Sequence, residues 1–318
     1  MTVQNPELAI RAQGLSKNFG SLRAVDNLNL DVKSGEAFAL VGPDGAGKTT
    51  TIRLLCGIMN PDRGRAEVLG HDTVRATKDL KAQIGYLPQR FGLYNDLTVA
   101  ENITFYADIY QVPREEFQQR FPELLSFANL DSFQDRLAGN LSGGMRQKLG
   151  LICALIHKPR LLFLDEPTYG VDPISRREFW EILYRLLGEG LTIFLSTAYM
   201  DEAERAHEVG LIHRGELLLT GSPQAIKATF KGDLLEIRTH DLRNATKVLN
   251  QLVVSKGRLV QQVHVTGERL LVTVNDSSQA LEPLKEALQQ AGLGALTINS
   301  AEPGLEDLFV QMVKSKRV

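Results

Sequence analysis

An α/β fold built around a parallel sheet is the architecture this sequence predicts, and three observations carry it. Short apolar runs at residues 36–41, 161–164 and 192–196 read as strands buried on both faces. Segments with helical spacing alternate with them, the order that parallel strands need for their crossovers. Past about residue 230 the order becomes strand, helix, two strands, helix, strand, which resembles a small α+β unit of the ferredoxin-like kind.

Residues 10–15 and 24–32 carry strand-like, alternating patterns. The run 36–41 ends at a glycine-rich turn, after which 49–57 has helical spacing with Ile52, Leu55 and Cys56 on one face. Residues 97–110, 114–127 and 142–157 read as helices with few strand candidates among them, so the stretch from about 90 to 155 forms a helical insert. A strand at 161–164 ends in two acids, 175–187 is a helix, and 192–196 is another buried strand. In the last part, 234–238 is a strand and 244–254 a helix. Residues 260–265 and 269–274 form a hairpin around Gly267, followed by a helix at 284–290, a strand at 295–299 and a closing helix at 304–313. The chain therefore divides into a large domain over 8–230 and a smaller one over 231–318.

Composition narrows the function. A net charge of −2 gives no basic footprint, so nucleic acid is not an expected partner. Cys56 and Cys153 each stand alone in an apolar helical stretch, without a second cysteine at metal or redox spacing, and read as reduced buried thiols. The longest apolar run, 149–156, stops at His157, well short of the ~20 residues that span a bilayer. The first six residues lack the charged-then-apolar design of a secretory leader. The expectation is a cytoplasmic protein whose membrane role, if any, passes through a partner. The basic end around Lys314, Lys316 and Arg317 reads as a solvated tail.

Gly42-Pro43-Asp44-Gly45-Ala46-Gly47-Lys48-Thr49 fits G-x-x-x-x-G-K-[ST] in full, and Thr50 continues it into the helix. Glycines let the backbone curl until successive N–H groups face one anion, and the helix N-terminus adds its positive dipole end. Lys48 then reaches the β and γ phosphates of a nucleotide as a point charge, and Thr49 offers its hydroxyl to Mg²⁺. A chance glycine-rich turn is the bland alternative, and the strand before and helix after it argue against that.

The strand at 161–164 runs into Asp165 and Glu166. Ligands of open α/β sheets sit at the carboxyl ends of the strands, so this pair belongs beside the phosphate loop. Asp165 is placed to hold Mg²⁺, directly or through water, and Glu166 to orient and polarise the attacking water.

Leu141-Ser142-Gly143-Gly144-Met145-Arg146-Gln147 resembles the LSGGQ signature of ATP-binding cassette (ABC) ATPases, with Met145 in place of glutamine, and it lies shortly before the paired acids as in that family. The resemblance covers about residues 8–230, with five motifs in the family's order. It implies a P-loop NTPase core with a helical insert, ATP and Mg²⁺ as ligands, and a head-to-tail dimer. In such a dimer Ser142, Gly143 and Gly144 cradle the γ-phosphate of ATP held by the facing subunit. Ser142 also reads as a plain helix N-cap, and the two roles coexist. By the same resemblance Gln89 contacts Mg²⁺ and water and links core to insert. Phe19 sits where an aromatic ring stacks on adenine, and Asp172 within 169–173 lies at the dimer interface.

One position departs from the family. Where Ser-Thr-His is usual, this chain has Ser196-Thr197-Ala198. His207 is expected in a helix and His213 in a hairpin turn, so neither takes the missing place. Loss of one polar group that stabilises transition-state charge lowers the rate on the order of 10²–10³. The departure leads to the expectation of an own site that is slow or silent and of a second ATPase subunit, either another copy of this chain or a different, fully equipped one.

Gly42-Pro43-Asp44-Gly45 with Tyr94-Asn95-Asp96-Leu97-Thr98 resembles the first half of tandem multidrug or cation exporter ATPases. Pro303-Gly304-Leu305-Glu306-Asp307-Leu308-Phe309 resembles the ending of daunorubicin-type exporter ATPases, and reads equally as an ordinary capped helix. The C-terminal unit is expected to regulate dimerisation. The implied function is the ATPase subunit of an ABC-2 type exporter, peripheral on the cytoplasmic face of the inner membrane. It would dock on a separate permease through residues 91–102. Two alternatives stay open: a nucleotide-gated module with little hydrolysis, and a soluble cassette ATPase unconnected with transport.

Overall fold

The computed structural model describes residues 8–90, 92–255, 259–293 and 297–315. They fall into two compact units, Met1–Pro223 and Gln224–Val318. The division comes ahead of residue 230, where the sequence pattern placed it.

The first unit opens with two long strands, β1 (Leu8–Phe19) and β2 (Leu22–Lys33), then the short buried β3 (Ala37–Val41) and helix α1 (Lys48–Leu55). Next come β4 (Arg63–Val68), β5 (His71–Asp72), α2 (Thr77–Lys81) and β6 (Ile84–Leu87). The helical insert is α3 (Val99–Ile109), α4 (Arg114–Phe127) and α5 (Gly143–Leu155). Then follow β7 (Leu161–Asp165), α6 (Pro173–Gly188), β8 (Thr192–Thr197), α7 (Met200–Ala203), and the hairpin β9 (Glu208–His213) and β10 (Glu216–Gly221); the short α8 (Pro223–Lys227) begins at the last residue of this unit and otherwise belongs to the second.

The main sheet has the order β10-β9-β3-β8-β7-β6. Five of its strands run parallel and only β10 is antiparallel. A second, antiparallel sheet has the order β2-β1-β4-β5. The two share a core in which Phe38, Phe163 and Phe194 are buried together. Phe38 stacks on Phe194 at 5.2 Å and Phe163 tilts against it at 5.6 Å. Such pairs add about 0.5–1.5 kcal/mol each beyond the burial of their area. Parallel pairing brings the carboxyl ends of β3, β7 and β8 into line: Val41 is opposite Thr197, and Asp165 opposite Ser196. That alignment places the site.

Local chemistry fixes the helix starts. Thr98 and Glu101 form a reciprocal capping box at α3. Ser142 caps α5, and Asp172 caps α6 with Pro173 in its first turn.

The second unit contains β11 (Asp233–Arg238), α9 (Leu242–Ser255), β12 (Val260–Thr266), β13 (Arg269–Val274), α10 (Ser277–Gln290), β14 (Thr297–Ala301) and α11 (Leu305–Ser315). Its sheet order, β12-β13-β11-β14, is that of a ferredoxin-like βαββαβ unit. Leu235, Ile237, Val272 and Val274 pack against Ala245, Leu249, Leu284 and Leu288.

Several sequence expectations change. β4, β6, β9 and β10 carry no alternating signal strong enough to mark them, and β4 buries only Ala66 and Val68. α10 starts at Ser277, capped by Asp276, rather than at 284, and tolerates Pro283 in its interior. His207 is not helical: α7 ends at Ala203, and His207 lies in the bend that enters β9. Residues 295 and 296 of the expected last strand, residues 316 and 317 of the basic tail and Phe91 lie outside the described residues.

Candidate functional site

The phosphate loop joins β3 to α1. Two of its glycines are dictated by space. A Cβ on Gly42 would stand 2.1 Å from the Ile212 carbonyl oxygen. Gly47 has φ +107°, and its Cβ would stand 2.2 Å from the Ala24 carbonyl oxygen. Lys48 is 3% exposed. Its ammonium donates to the Gly42 and Pro43 carbonyls at 2.8 and 3.1 Å. It also pairs with Glu166 Oε1 at 2.9 Å.

Glu166, 7% exposed, is therefore in contact with the loop. Its Oε2 accepts from Gln89 Nε2 at 2.8 Å. Its backbone N–H donates to both the carbonyl and the hydroxyl of Ser196 at 3.1 Å. The residue holds φ +50°, a left-handed conformation that costs a non-glycine residue about 1–3 kcal/mol and persists where surroundings impose it.

Asp165, 1% exposed, accepts at Oδ1 from Ser196 Oγ at 2.7 Å and from Thr49 Oγ1 at 3.0 Å. Its Oδ2 is buried without a hydrogen-bond partner among the described residues. Burial raises the Asp165 carboxyl above its ordinary range; the Ser196 and Thr49 hydrogen bonds oppose this, and the neighbouring Glu166 adds to it. A buried carboxylate oxygen left open beside a threonine hydroxyl fits a hard, oxygen-seeking cation such as Mg²⁺. Thr49, Asp165 and Gln89 are the residues that would hold it.

A cleft of about 630 Å³ lies over these groups. Asp44, Gly45, Ala46, Gly47, Lys48, Thr49, Thr50, Gln89 and Glu166 line it, as does Phe19 at the end of β1. Phe19 is 48% exposed, an open aromatic face at the mouth. Tyr169, the first residue of the stretch 169–173, lines the cleft too, as do Leu22, Ala24 and Arg90, which were not singled out from the sequence. Neither was Ser196, whose hydroxyl organises both acids; its signal was adjacency to the departure at Ala198.

Ser142, Gly143 and Gly144 are not among the described residues lining this cleft. Ser142 Oγ accepts from the Met145 N–H at 3.2 Å, and both Ser142 and Gly143 are exposed. A Cβ on Gly143 would meet nothing within 4 Å, whereas one on Gly144 would stand 2.6 Å from Ser175 of α6. The signature thus offers an open helix N-terminus, away from the chain's own cleft. His207 is spoken for at the other end of the sheet, where its Nδ1 accepts from the Ala37 N–H at 3.0 Å. His213 closes β9, so neither histidine stands at the end of β8, where Ala198 follows Thr197.

Comparison with known proteins agrees with this geometry. Residues 25–169 match the family described as ABC transporter. The chain is 41% identical over 310 residues to a probable multidrug ABC transporter ATP-binding protein of Escherichia coli, covering 96% of this chain and 52% of that protein. It thus spans about half the length of that relative. It is 37% identical to the Nod factor export ATP-binding protein I of Sinorhizobium fredii, over 96% of this chain and 86% of that one. It is 34% identical to a daunorubicin resistance ATP-binding protein of Streptomyces coeruleorubidus, over 98% of both. Among solved structures, the ATP binding subunit of an ABC transporter superimposes with a TM-score of 0.64 at 30% identity, over 70% of this chain and 93% of that one. A dimeric ATP-binding cassette bound to ADP and Pi gives 0.61 at 26% identity, over 67% and 98%. With an intact phosphate loop, its paired acids in place and a signature helix facing outward, the chain belongs to the ATP-binding cassette family, whose members it resembles here are named as ATP-binding proteins of ABC transporters and exporters.

Proposed function

We propose that this chain binds and hydrolyses ATP and energises a separate membrane permease of the ABC-2 exporter type. The observation that carries this is the junction of Lys48, Glu166 and Gln89 over the phosphate loop, beside the open oxygen of Asp165. Lys48 takes the β and γ phosphates once nucleotide displaces Glu166 from its ammonium. Glu166, freed, accepts a proton from the attacking water, and Gln89 holds both in line. Mg²⁺ at Thr49 and Asp165 would neutralise charge on the phosphates. Relatives named for multidrug transport, daunorubicin resistance and Nod factor export support the export reading.

The exposed signature calls for a second ATPase subunit facing this one head to tail, so that Ser142, Gly143 and Gly144 close on the partner's nucleotide. Ala198 leaves this chain's own site without the polar group usual there, which favours pairing with a different, complete subunit. The permease's cytoplasmic helix is assigned to residues 91–102; an apolar groove of about 550 Å³ lined by Cys56, Ile58, Tyr86, Ile109, Tyr110 and His157 opens at the far end of α3, the helix that begins in that segment. The place of action is then the cytoplasmic face of the inner membrane. No helix among the described residues is long and apolar enough to cross a membrane. Ala198 also sustains a second reading, a nucleotide-gated module that closes on ATP and scarcely turns it over. Steady-state release of phosphate from MgATP, with Glu166→Gln as the blank, decides between them: turnover above the blank supports the ATPase, and tight binding without turnover in every assembly supports the gate.

A further inference from the structure

Behind the site lies a buried cluster that none of the phosphate-binding motifs contains. Glu202, on the short helix α7, is 1% exposed. Its Oε1 accepts a short hydrogen bond from the Thr168 hydroxyl, two residues beyond Glu166. Its Oε2 accepts from the Thr197 hydroxyl at 2.8 Å, and Thr197 is the last residue of β8, next to Ser196 and Ala198. Thr197 Oγ1 in turn accepts from the Tyr199 N–H at 3.0 Å. Arg176, on the first turn of α6, stands with Nε 3.4 Å from Glu202 Oε1, within ion-pair range but without hydrogen-bond alignment. Its guanidinium also covers the Tyr199 ring at 4.3 Å.

The same turn of α6 meets the signature helix. Ser175, the neighbour of Arg176, lies so close beneath Gly144 that a Cβ there would stand 2.6 Å from it. Farther along, Lys148 of α5 pairs with Glu178 of α6 at 2.6 Å. A continuous set of contacts therefore runs from the signature helix through Ser175 and Arg176 to Glu202. From there it divides to Thr168, beside Glu166, and to Thr197, beside the serine that holds Asp165. Apart from the peptide bond between Ser175 and Arg176, the links from Gly144 to Glu202 and on to Thr168 and Thr197 are close contacts between buried or half-buried groups, the kind of packed and hydrogen-bonded chain that can carry displacement between sites.

On the footing that this chain hydrolyses ATP, we propose that Glu202 is a positioning residue that ties the signature helix, which serves the facing subunit's nucleotide, to this chain's own hydrolytic glutamate. It touches no phosphate. It fixes the two segments that carry Glu166 and Ser196 to each other and to the turn of α6 under Gly144. Closing of the signature on the partner's ATP then moves this chain's Glu166 as well. Engagement at one nucleotide site is reported to the other without any group shared between them.

Hydrogen exchange by mass spectrometry on the full chain without nucleotide, combined with kcat and KM for MgATP, tests this. Glu202→Gln keeps the shape and loses the ion pair. Thr168→Val removes one donor, and Thr168→Ser restores it. The expected result is faster exchange in 166–172 and also in the signature segment 142–146 for Glu202→Gln and Thr168→Val. With it, kcat falls about tenfold or more at unchanged KM, the signature of a displaced but still binding-competent group. Thr168→Ser matches wild type in both readouts. Exchange changes confined to 197–206, an effect on KM alone, or Thr168→Ser behaving like Thr168→Val would overturn the proposal. If wild type turns over no faster than Glu166→Gln, the ATPase reading fails, and the exchange pattern in the signature segment still decides whether Glu202 is the link.

Discussion

Glu166→Gln separates two effects that the geometry couples. Without nucleotide, Lys48 is held by Glu166 Oε1 at 2.9 Å as well as by two loop carbonyls. A bound nucleotide needs the same ammonium, so the carboxylate competes with the ligand. A hydrogen bond to a charged group contributes about 1.5–3 kcal/mol and a neutral one about 0.5–1.5 kcal/mol. Exchanging the carboxylate for an amide leaves the ammonium charged but removes the charge that opposes it, which weakens the competitor by roughly 1–1.5 kcal/mol, the size of one ionised partner's contribution. Since 1.4 kcal/mol is a factor of ten, the variant binds ATP about tenfold more tightly. The new amide has one oxygen for two donors, so when it faces Lys48 its NH2 faces Gln89, which turns its own amide oxygen to accept. Loss of the base simultaneously lowers turnover by roughly 10²–10⁴-fold. Titration with a fluorescent ATP analogue, at protein concentrations where the chain stays monomeric, reads the first effect free of dimer closure. Unchanged or weaker binding by Glu166→Gln would refute the competition for Lys48.

Two more predictions follow from the packing. Gly144→Ala pushes a methyl into Ser175 and lowers stability by about 1–3 kcal/mol in urea unfolding, and a second change, Ser175→Gly, recovers most of it. Burial holds the His157 imidazole below its ordinary range, against a hydrogen bond to the Ile84 carbonyl and with help from the Arg120 guanidinium. The unfolded chain therefore takes up a proton first, and stability falls as pH drops below about 6.5 toward the lowered folded value. His157→Phe keeps a ring against Tyr110, where the stacked centroids are 3.7 Å apart, and its Tm loses less than that of wild type over this range.

How far the sequence could be read depended on distance along the chain. Gly42 to Thr49 is legible because a strand end, a curled loop and a helix start are written in consecutive residues. Asp165 and Glu166 are legible because a fully apolar strand delivers them. The partners that hold these groups were not. Ser196 lies across the β7–β8 pairing from Asp165, and Glu202 meets Thr168 and Arg176 only because α7 folds back over the start of α6. Nothing local marks a glutamate in Met200-Asp201-Glu202-Ala203 as buried rather than solvated. The strands β9 and β10 escaped for a related reason: β10, at the edge of the sheet, is half-exposed, and the residues between the two read only as a turn at His213. His207 looked helical because the acidic run before it has helical composition, yet that helix stops after one turn.

Steady-state ATPase activity of the purified chain tests the central claim most directly, with wild type beside Ala198→His and with Glu166→Gln as the blank. The account predicts turnover that depends on Glu166 and rises when the histidine is supplied at the end of β8, where neither His207 nor His213 stands. Turnover equal to the blank in both wild type and Ala198→His would contradict it. The cleft around Lys48 and Asp165 would then serve binding alone.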